Sequence, residues 1–161
     1  MDEEDQVTAW HEAGHAVMAI LCGGRIEHVS LEPPWDEGPG RYGETITRWQ
    51  GLSSAELSLA EIKVSLAGPI AETLYIGEER NLSEVPEWAG DWQRVVEIAV
   101  QQFGDLVTAR KNIRVLVASV RESFEDNRVW SAVSAVAEDL LAHETIEHEQ
   151  VSQSVEFWLR T

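Results

Sequence analysis

The seven residues from Trp10 to Ala16 read WHEAGHA and contain the pattern H-E-x-x-H. If this segment is helical, His11 and His15 lie on one face, one turn above the other. Two imidazoles at that spacing can bind one Zn²⁺, and Glu12 lies where its carboxylate can act on a metal-bound water. The pattern therefore predicts a metal site on a helix. The alternative is a pair of hydrogen-bonded core histidines with Glu12 in solvent.

The residues around this pattern have the periodicity of a helix with one buried face. Apolar and small residues recur with the two histidines at the spacing i, i+3, i+4 and i+7; the stripe consists of Val7, His11, Gly14, His15, Met18, Leu21 and Cys22. Gly23 and Gly24 follow it and are typical of a helix end. We predict a first helix from about Glu4 to Leu21, with both histidines directed into the core.

The next part of the chain has the features of a small β-sheet. Two short segments, Arg25–Leu31 and Tyr42–Trp49, are predicted strands, and the loop Pro33–Gly40 between them is dense in proline and glycine. A sheet of about two to three strands leaves an edge open. An open edge can pair with an extended peptide, although the rest of the fold can also cover it.

The remainder of the sequence is predicted to be helical. A capping box, Ser53-x-x-Glu56, opens a second helix that ends before Gly77, and Pro69 inside it should kink or break it. Four more helices are predicted at about 86–103, 106–124, 129–141 and 147–159. The sequence thus indicates a mainly α (α+β) fold in one domain over residues 1–161.

Composition excludes several classes of function. The chain has 161 residues and a formal net charge of −17, which disfavours nucleic acids and anionic membrane surfaces as partners. It has no apolar run long enough to cross a membrane, so no membrane insertion is expected. The first residues are acidic, the reverse of a secretory signal. Because the sequence contains one cysteine, no internal disulfide can form, and we expect a cytoplasmic location.

A catalytic zinc site generally has three protein ligands and a water, so a third ligand is needed beyond the two histidines. Asp91 is the best candidate because it lies on the apolar stripe of the predicted third helix, one turn from Trp88 and from Val95. A carboxylate on a core-facing stripe is destabilising by several kcal/mol unless it is paired or binds a metal.

Other candidates stay open at this point. Glu72 lies beside the core stripe of the second helix and competes with Asp91 as a ligand, whereas Glu61 lies nearer the polar face. His28 is on a predicted strand and can also bind a metal. If no metal is bound, Arg94 is an expected partner of Asp91.

The segment from His143 to His148 contains a second pair of histidines, but it does not repeat the first pattern. Its histidines are five residues apart, so they do not share a helix face. We interpret this segment as a solvated helix boundary.

Four segments together resemble the peptidase domain of the FtsH-type zinc metalloproteases. Trp10–Val17 is similar to that family's H-E-A-G-H-A segment, and Leu66–Glu72 to its L-x-G-R-x-A-E segment. Gly90–Ala99 is similar to its N-D-x-x-x-A-T-x-I-A helix, and Ala137–Ile146 to its A-x-x-L-L-x-x-E-T-L stretch. The four occur in the family's order and span nearly the whole chain.

The resemblance implies a helical, zincin-like peptidase domain that binds Zn²⁺. It implies that His11, His15 and Asp91 are the zinc ligands and that Glu12 is the general base. The expected reaction is hydrolysis of polypeptides by a zinc-dependent endopeptidase. The alternative is a catalytically inactive relative that keeps the fold for binding or regulation.

The sequence also departs from the family. Pro69 stands where the family has arginine, and Gly90 stands where it has asparagine before the ligand aspartate. No membrane anchor and no G-x-x-x-x-G-K-[S/T] loop are found, so the chain is expected to be a stand-alone relative. A separate ATPase and a second copy of the chain are the partners that this leaves open.

Overall fold

The fold is taken from a computed structural model that describes residues 2–32 and 43–160. Its helices are α1 (Glu3–Leu21), α2 (Ser54–Ile76), α3 (Ala89–Phe103), α4 (Leu106–Glu125), α5 (Asn127–His143) and α6 (His148–Leu159), and a short 3₁₀ turn (Pro86–Trp88) precedes α3. The strands are β1 (Arg25–Ser30), β2 (Glu44–Arg48) and β3 (Thr145–Ile146). The predicted mainly α (α+β) fold with a small sheet is confirmed.

Helix α1 is the central element of the fold. The Asp2 carboxylate caps it by accepting a hydrogen bond from the backbone N–H of Asp5, and acidic residues fill its first turn. Its residues from Thr8 to Ala19, apart from Trp10, are buried, because α2, α5, α6 and the sheet all pack around it. The predicted helix and its buried histidine face are both present.

Helices α1 and α2 pack closely at Gly14. A Cβ atom on Gly14 would lie 2.6 Å from the backbone oxygen of Ala67 and 2.6 Å from the Cβ of Ala71. No larger residue fits there without separating the two helices. The glycine between the histidines therefore brings this face of α1 directly onto α2.

Helix α2 begins and ends as predicted. Ser53 and Glu56 form the reciprocal capping box, and Gly77 ends the helix in the left-handed conformation with φ +79°. The expected break at Pro69 does not occur, because the helix is continuous from Ser54 to Ile76. A proline removes a single backbone donor, and burial of this turn against α1 holds the remaining helix together.

The three strands form an antiparallel sheet in the order β2-β1-β3. Val29 in the central strand is opposite Thr45 of β2 and Ile146 of β3. The second strand begins at Glu44, and the predicted Pro33–Gly40 loop and Tyr42 lie outside the described residues. Strand β2 is an outer strand, and α1 packs against it.

The segment from His143 to His148 is only in part the solvated boundary that the sequence predicted. It does separate α5 from α6, but it contains β3, whose Ile146 is 1% exposed. His148 Nδ1 accepts a hydrogen bond from the backbone N–H of Ile26 at 3.1 Å. A two-residue strand has too little periodicity to be recognised in a sequence.

None of the helices within 2–32 and 43–160 combines the length and the apolar character that crossing a bilayer requires.

Candidate metal centre

The side chains of His11 and His15 lie together between α1 and α2. Both residues are buried, at 2% and 7% exposure, and their rings meet edge to face. A Cβ atom on Gly68 of α2 would lie 2.8 Å from His11 Nε2 and closer still to His15 Nε2. The absence of a side chain at Gly68 thus makes room for the two imidazoles.

Each histidine is oriented by a hydrogen bond from its Nδ1 atom. His11 Nδ1 lies 2.8 Å from Glu72 Oε2, and His15 Nδ1 lies 2.6 Å from the backbone oxygen of Val64. A carboxylate and a carbonyl can only accept, so these contacts favour a proton on Nδ1 of each ring. When Nε2 is deprotonated, its lone pair faces the site, which is the arrangement that metal-binding histidines have.

The carboxylate of Asp91, in the first turn of α3, contacts the Nε2 atoms of both histidines. Its Oδ2 lies 3.0 Å from His11 Nε2 and 3.3 Å from His15 Nε2, and the two Nε2 atoms are 3.1 Å apart. Two imidazole nitrogens and one carboxylate oxygen therefore converge on a single point. Such a triangle of acceptors is stable only if a proton or a cation lies among them.

The pKa values of His11, His15 and Asp91 also indicate that positive charge stabilises this cluster. Burial disfavours the charged form of His11, but its hydrogen bonds to Asp91 and Glu72 outweigh burial and raise its pKa to about 10. The pKa of His15 is also raised, since Asp91 opposes the effect of burial. Burial is likewise outweighed at Asp91, where the two histidines hold the pKa well below its usual range. The cluster thus favours a bound cation, and a metal ion must displace protons there, so metal affinity should fall as the pH falls.

Glu12 lies beside this triangle of ligand atoms, on the same helix as the two histidines. It is 3% exposed, and its Oε1 accepts a hydrogen bond from Thr45 Oγ1 of β2 at 2.8 Å. One ligand atom from each of His11, Glu12 and His15 lies within 4.8 Å of the others, a group that can hold a metal ion. Glu12 is therefore buried beside the site and is not in solvent.

The other candidates from the sequence have different positions. Glu72 contacts the Nδ1 side of His11, away from Nε2, and also accepts a hydrogen bond from the indole N–H of Trp88 at 2.7 Å. His28 Nε2 pairs with Glu44 at 2.9 Å. Arg94, the expected partner of Asp91 in a metal-free protein, pairs with Glu61.

The orienting contact from Glu72 to His11 was missed by the sequence analysis. Its signal was present, since Glu72 is a carboxylate beside the core stripe of α2 and a buried carboxylate needs a partner. The sequence suggested a role as a ligand, and only the packing of α2 against α1 shows which nitrogen of His11 it meets.

The site opens onto a cavity of about 550 Å³. The side chain of Asp91 is 28% exposed, and His11, Glu12 and His15 of α1 line the cavity with it. The remaining lining comes from the outer strand β2, from α2 and from the start of α3. The triangle is therefore part of the surface of a cavity.

Comparison with known proteins finds similarity to metallopeptidases. A family model described as Peptidase M50B-like matches residues 5–76, which contain both histidines, Glu12 and Glu72. The ATP-dependent zinc metalloprotease FtsH 1 of Alkaliphilus metalliredigens (strain QYMF) is 26% identical over 174 residues, covering 92% of this chain and 29% of that protein. These similarities support a peptidase domain of the FtsH type.

Two further FtsH-type relatives match about half of the chain. The ATP-dependent zinc metalloproteases FtsH of Sulfurovum sp. (strain NBC37-1) and of Lachnoclostridium phytofermentans are 35% and 34% identical, each over 48% of this chain. The chain spans 29%, 12% and 14% of the lengths of these three relatives. The resemblance to the FtsH-type peptidase domain that the sequence indicated is confirmed. These relatives are metalloproteases, which supports a peptidase hydrolase.

Proposed function

We propose that this chain is a zinc-dependent endopeptidase that hydrolyses peptide bonds in polypeptides, with Zn²⁺ held by His11, His15 and Asp91. One observation carries the proposal: the two Nε2 atoms and Asp91 Oδ2 are 3.0 to 3.3 Å apart, beside a buried Glu12 and a cavity. Atoms bound tetrahedrally at about 2.0–2.1 Å from zinc lie about 3.3 Å from one another. The donor set of two imidazoles and a carboxylate also suits zinc.

Different residues of the chain have different roles in the proposed reaction. When bound there, zinc supplies Lewis acidity that polarises the scissile carbonyl and lowers the pKa of a water. Glu12 accepts the proton of the attacking water and delivers it to the departing amine nitrogen. Glu72 and the backbone oxygen of Val64 hold the imidazoles with Nε2 facing the site.

Removal and return of the metal tests the proposed function. Chelation of the purified protein should abolish cleavage of unfolded β-casein, and addition of one equivalent of Zn²⁺ should restore it, because the ligand atoms are already in place. Cleavage is followed by gel electrophoresis and by mass spectrometry of the products. Internal fragments would support an endopeptidase. If the zinc-loaded wild type and the zinc-loaded Glu12→Gln variant cleave β-casein equally, or if neither cleaves it, the proposal is wrong.

Loss of the Glu72 contact should weaken metal binding without removing a ligand. For Glu72→Ala, which removes the acceptor, we expect zinc affinity to fall by about 10- to 100-fold, the usual effect of losing a carboxylate that orients a ligand histidine. Competition with a chromophoric chelator measures this affinity. Glu138→Ala, at an exposed position on α5, is the matched control and should bind zinc like the wild type. Equal affinities for both variants would show that the contact does not support the site.

The cellular setting of the activity is also a proposal. The relatives are named as ATP-dependent enzymes, so a separate ATPase partner is consistent with the similarity. The single cysteine supports a cytoplasmic location.

A further inference from the structure

We propose that Thr45, on the outer strand β2, is a positioning residue for Glu12, an inference that rests on the proposed function. Thr45 Oγ1 lies 2.8 Å from Glu12 Oε1 and 3.3 Å from the backbone oxygen of Glu12. A hydroxyl has one proton to donate, and the carboxylate is both the nearer and the more strongly attracting acceptor. Thr45 therefore occupies one of the two carboxylate oxygens of the proposed general base.

The position of Thr45 is itself fixed by the sheet. It is opposite Val29 of β1, which is fully buried, and β1 is held on its other side by β3. The hydroxyl thus comes from a rigid element that is separate from the helix carrying Glu12. Such an external donor restricts the rotamers of a flexible glutamate further than its own helix does.

Gly43, two residues before Thr45, closes the other side of the Glu12 side chain. A Cβ atom there would lie 2.5 Å from Glu12 Cγ and 2.8 Å from Glu12 Oε2. The carboxylate is thus held between a backbone that approaches closely and a hydroxyl that donates to it. Since Glu44 and Thr45 also line the cavity, the strand that forms the cavity wall is the strand that orients the base.

Thr45→Val keeps the β-branched shape and removes the hydroxyl, and Thr45→Ser restores it. For Thr45→Val, we expect kcat for a quenched fluorescent peptide to fall about 10- to 100-fold, since misplacement of a general base affects the chemical step. KM and the zinc content should stay close to those of the wild type. Thr45→Ser should retain most of the activity. Thr145→Val on β3, which removes the hydroxyl contact to Ser30 of β1, is the control and should behave like the wild type.

A second measurement does not depend on activity. In urea unfolding of the zinc-loaded protein, Thr45→Val should lower the midpoint in the wild-type background and have a smaller effect in a Glu12→Ala background, because the partner is then absent. Equal effects in both backgrounds would overturn the positioning role. An active Thr45→Val enzyme, or a Thr45→Ser enzyme as impaired as Thr45→Val, would overturn it as well. If the zinc-loaded wild type hydrolyses nothing, the proposed function and the positioning role fall together.

Discussion

Glu12→Gln is expected to reduce kcat by about 10²- to 10⁴-fold, the range that general acid–base catalysis contributes. The amide has nearly the size of the carboxylate and can still accept the hydrogen bond from Thr45 Oγ1, so the fold and the triangle of ligands should be unchanged. It cannot take up a proton from water at neutral pH. Steady-state kinetics on a quenched peptide, together with the zinc content of the same preparation, measures both effects.

The control for this experiment is Glu138→Gln, which makes the same chemical change at an exposed position of α5. It should keep both the activity and the metal. Hydrolysis by Glu12→Gln at the wild-type rate would assign the base to another residue. A loss of activity with a parallel loss of zinc would place Glu12 among the ligands, a position that its proximity to both histidines also allows.

Asp91→Ala is expected to weaken zinc binding by more than about 100-fold. Loss of a contact that only orients a ligand weakens metal binding by about 10- to 100-fold, and this variant removes a ligand itself. The variant removes the only carboxylate oxygen within 3.3 Å of both Nε2 atoms among residues 2–32 and 43–160. Two neutral imidazoles on one helix remain, and they supply neither the third donor nor the negative charge of the site. Zinc content after gel filtration and a chelator competition give the affinity.

Asp139→Ala, on α5 and outside the cavity lining, is the matched control and should bind zinc normally. Asp91→Asn adds a second comparison, because it keeps a donor oxygen and loses the charge. We expect its affinity to lie between those of the wild type and Asp91→Ala. Wild-type affinity in Asp91→Ala would show that the third donor comes from elsewhere, and Glu72 would then be the first residue to test.

Much of the fold was predictable because it depends on local patterns. The stripe that runs through His11 and His15 defined α1, and the capping box at Ser53 defined the start of α2. Strand β3 was not predictable, since two residues carry no periodicity and its pairing with β1 comes from a distant part of the chain. The break that Pro69 was expected to allow in α2 does not occur, because helix propensity does not include the packing that keeps α2 continuous.

Part of the geometry of the candidate site was predictable as well. Asp91 was selected because a carboxylate on an apolar stripe requires a partner, and the structure places its Oδ2 beside both histidines. Glu72 was predicted as a competing ligand, whereas it contacts Nδ1 of His11, and the contact between Thr45 and Glu12 was not predicted at all. A threonine on an amphipathic strand has no pattern that distinguishes it from a surface residue.

The pair of histidines and the glutamate between them follow from local sequence, because a helix places residues i and i+4 on one face whatever surrounds it. The residues that complete this pair depend on tertiary packing. Asp91 and Glu72 are 80 and 61 residues away from His11, and Thr45 is 33 residues away from Glu12. Their convergence depends on the close contact of α1 with α2 at Gly14 and Gly68 and on the register of β2. These are properties of packing between distant segments, which no local period encodes.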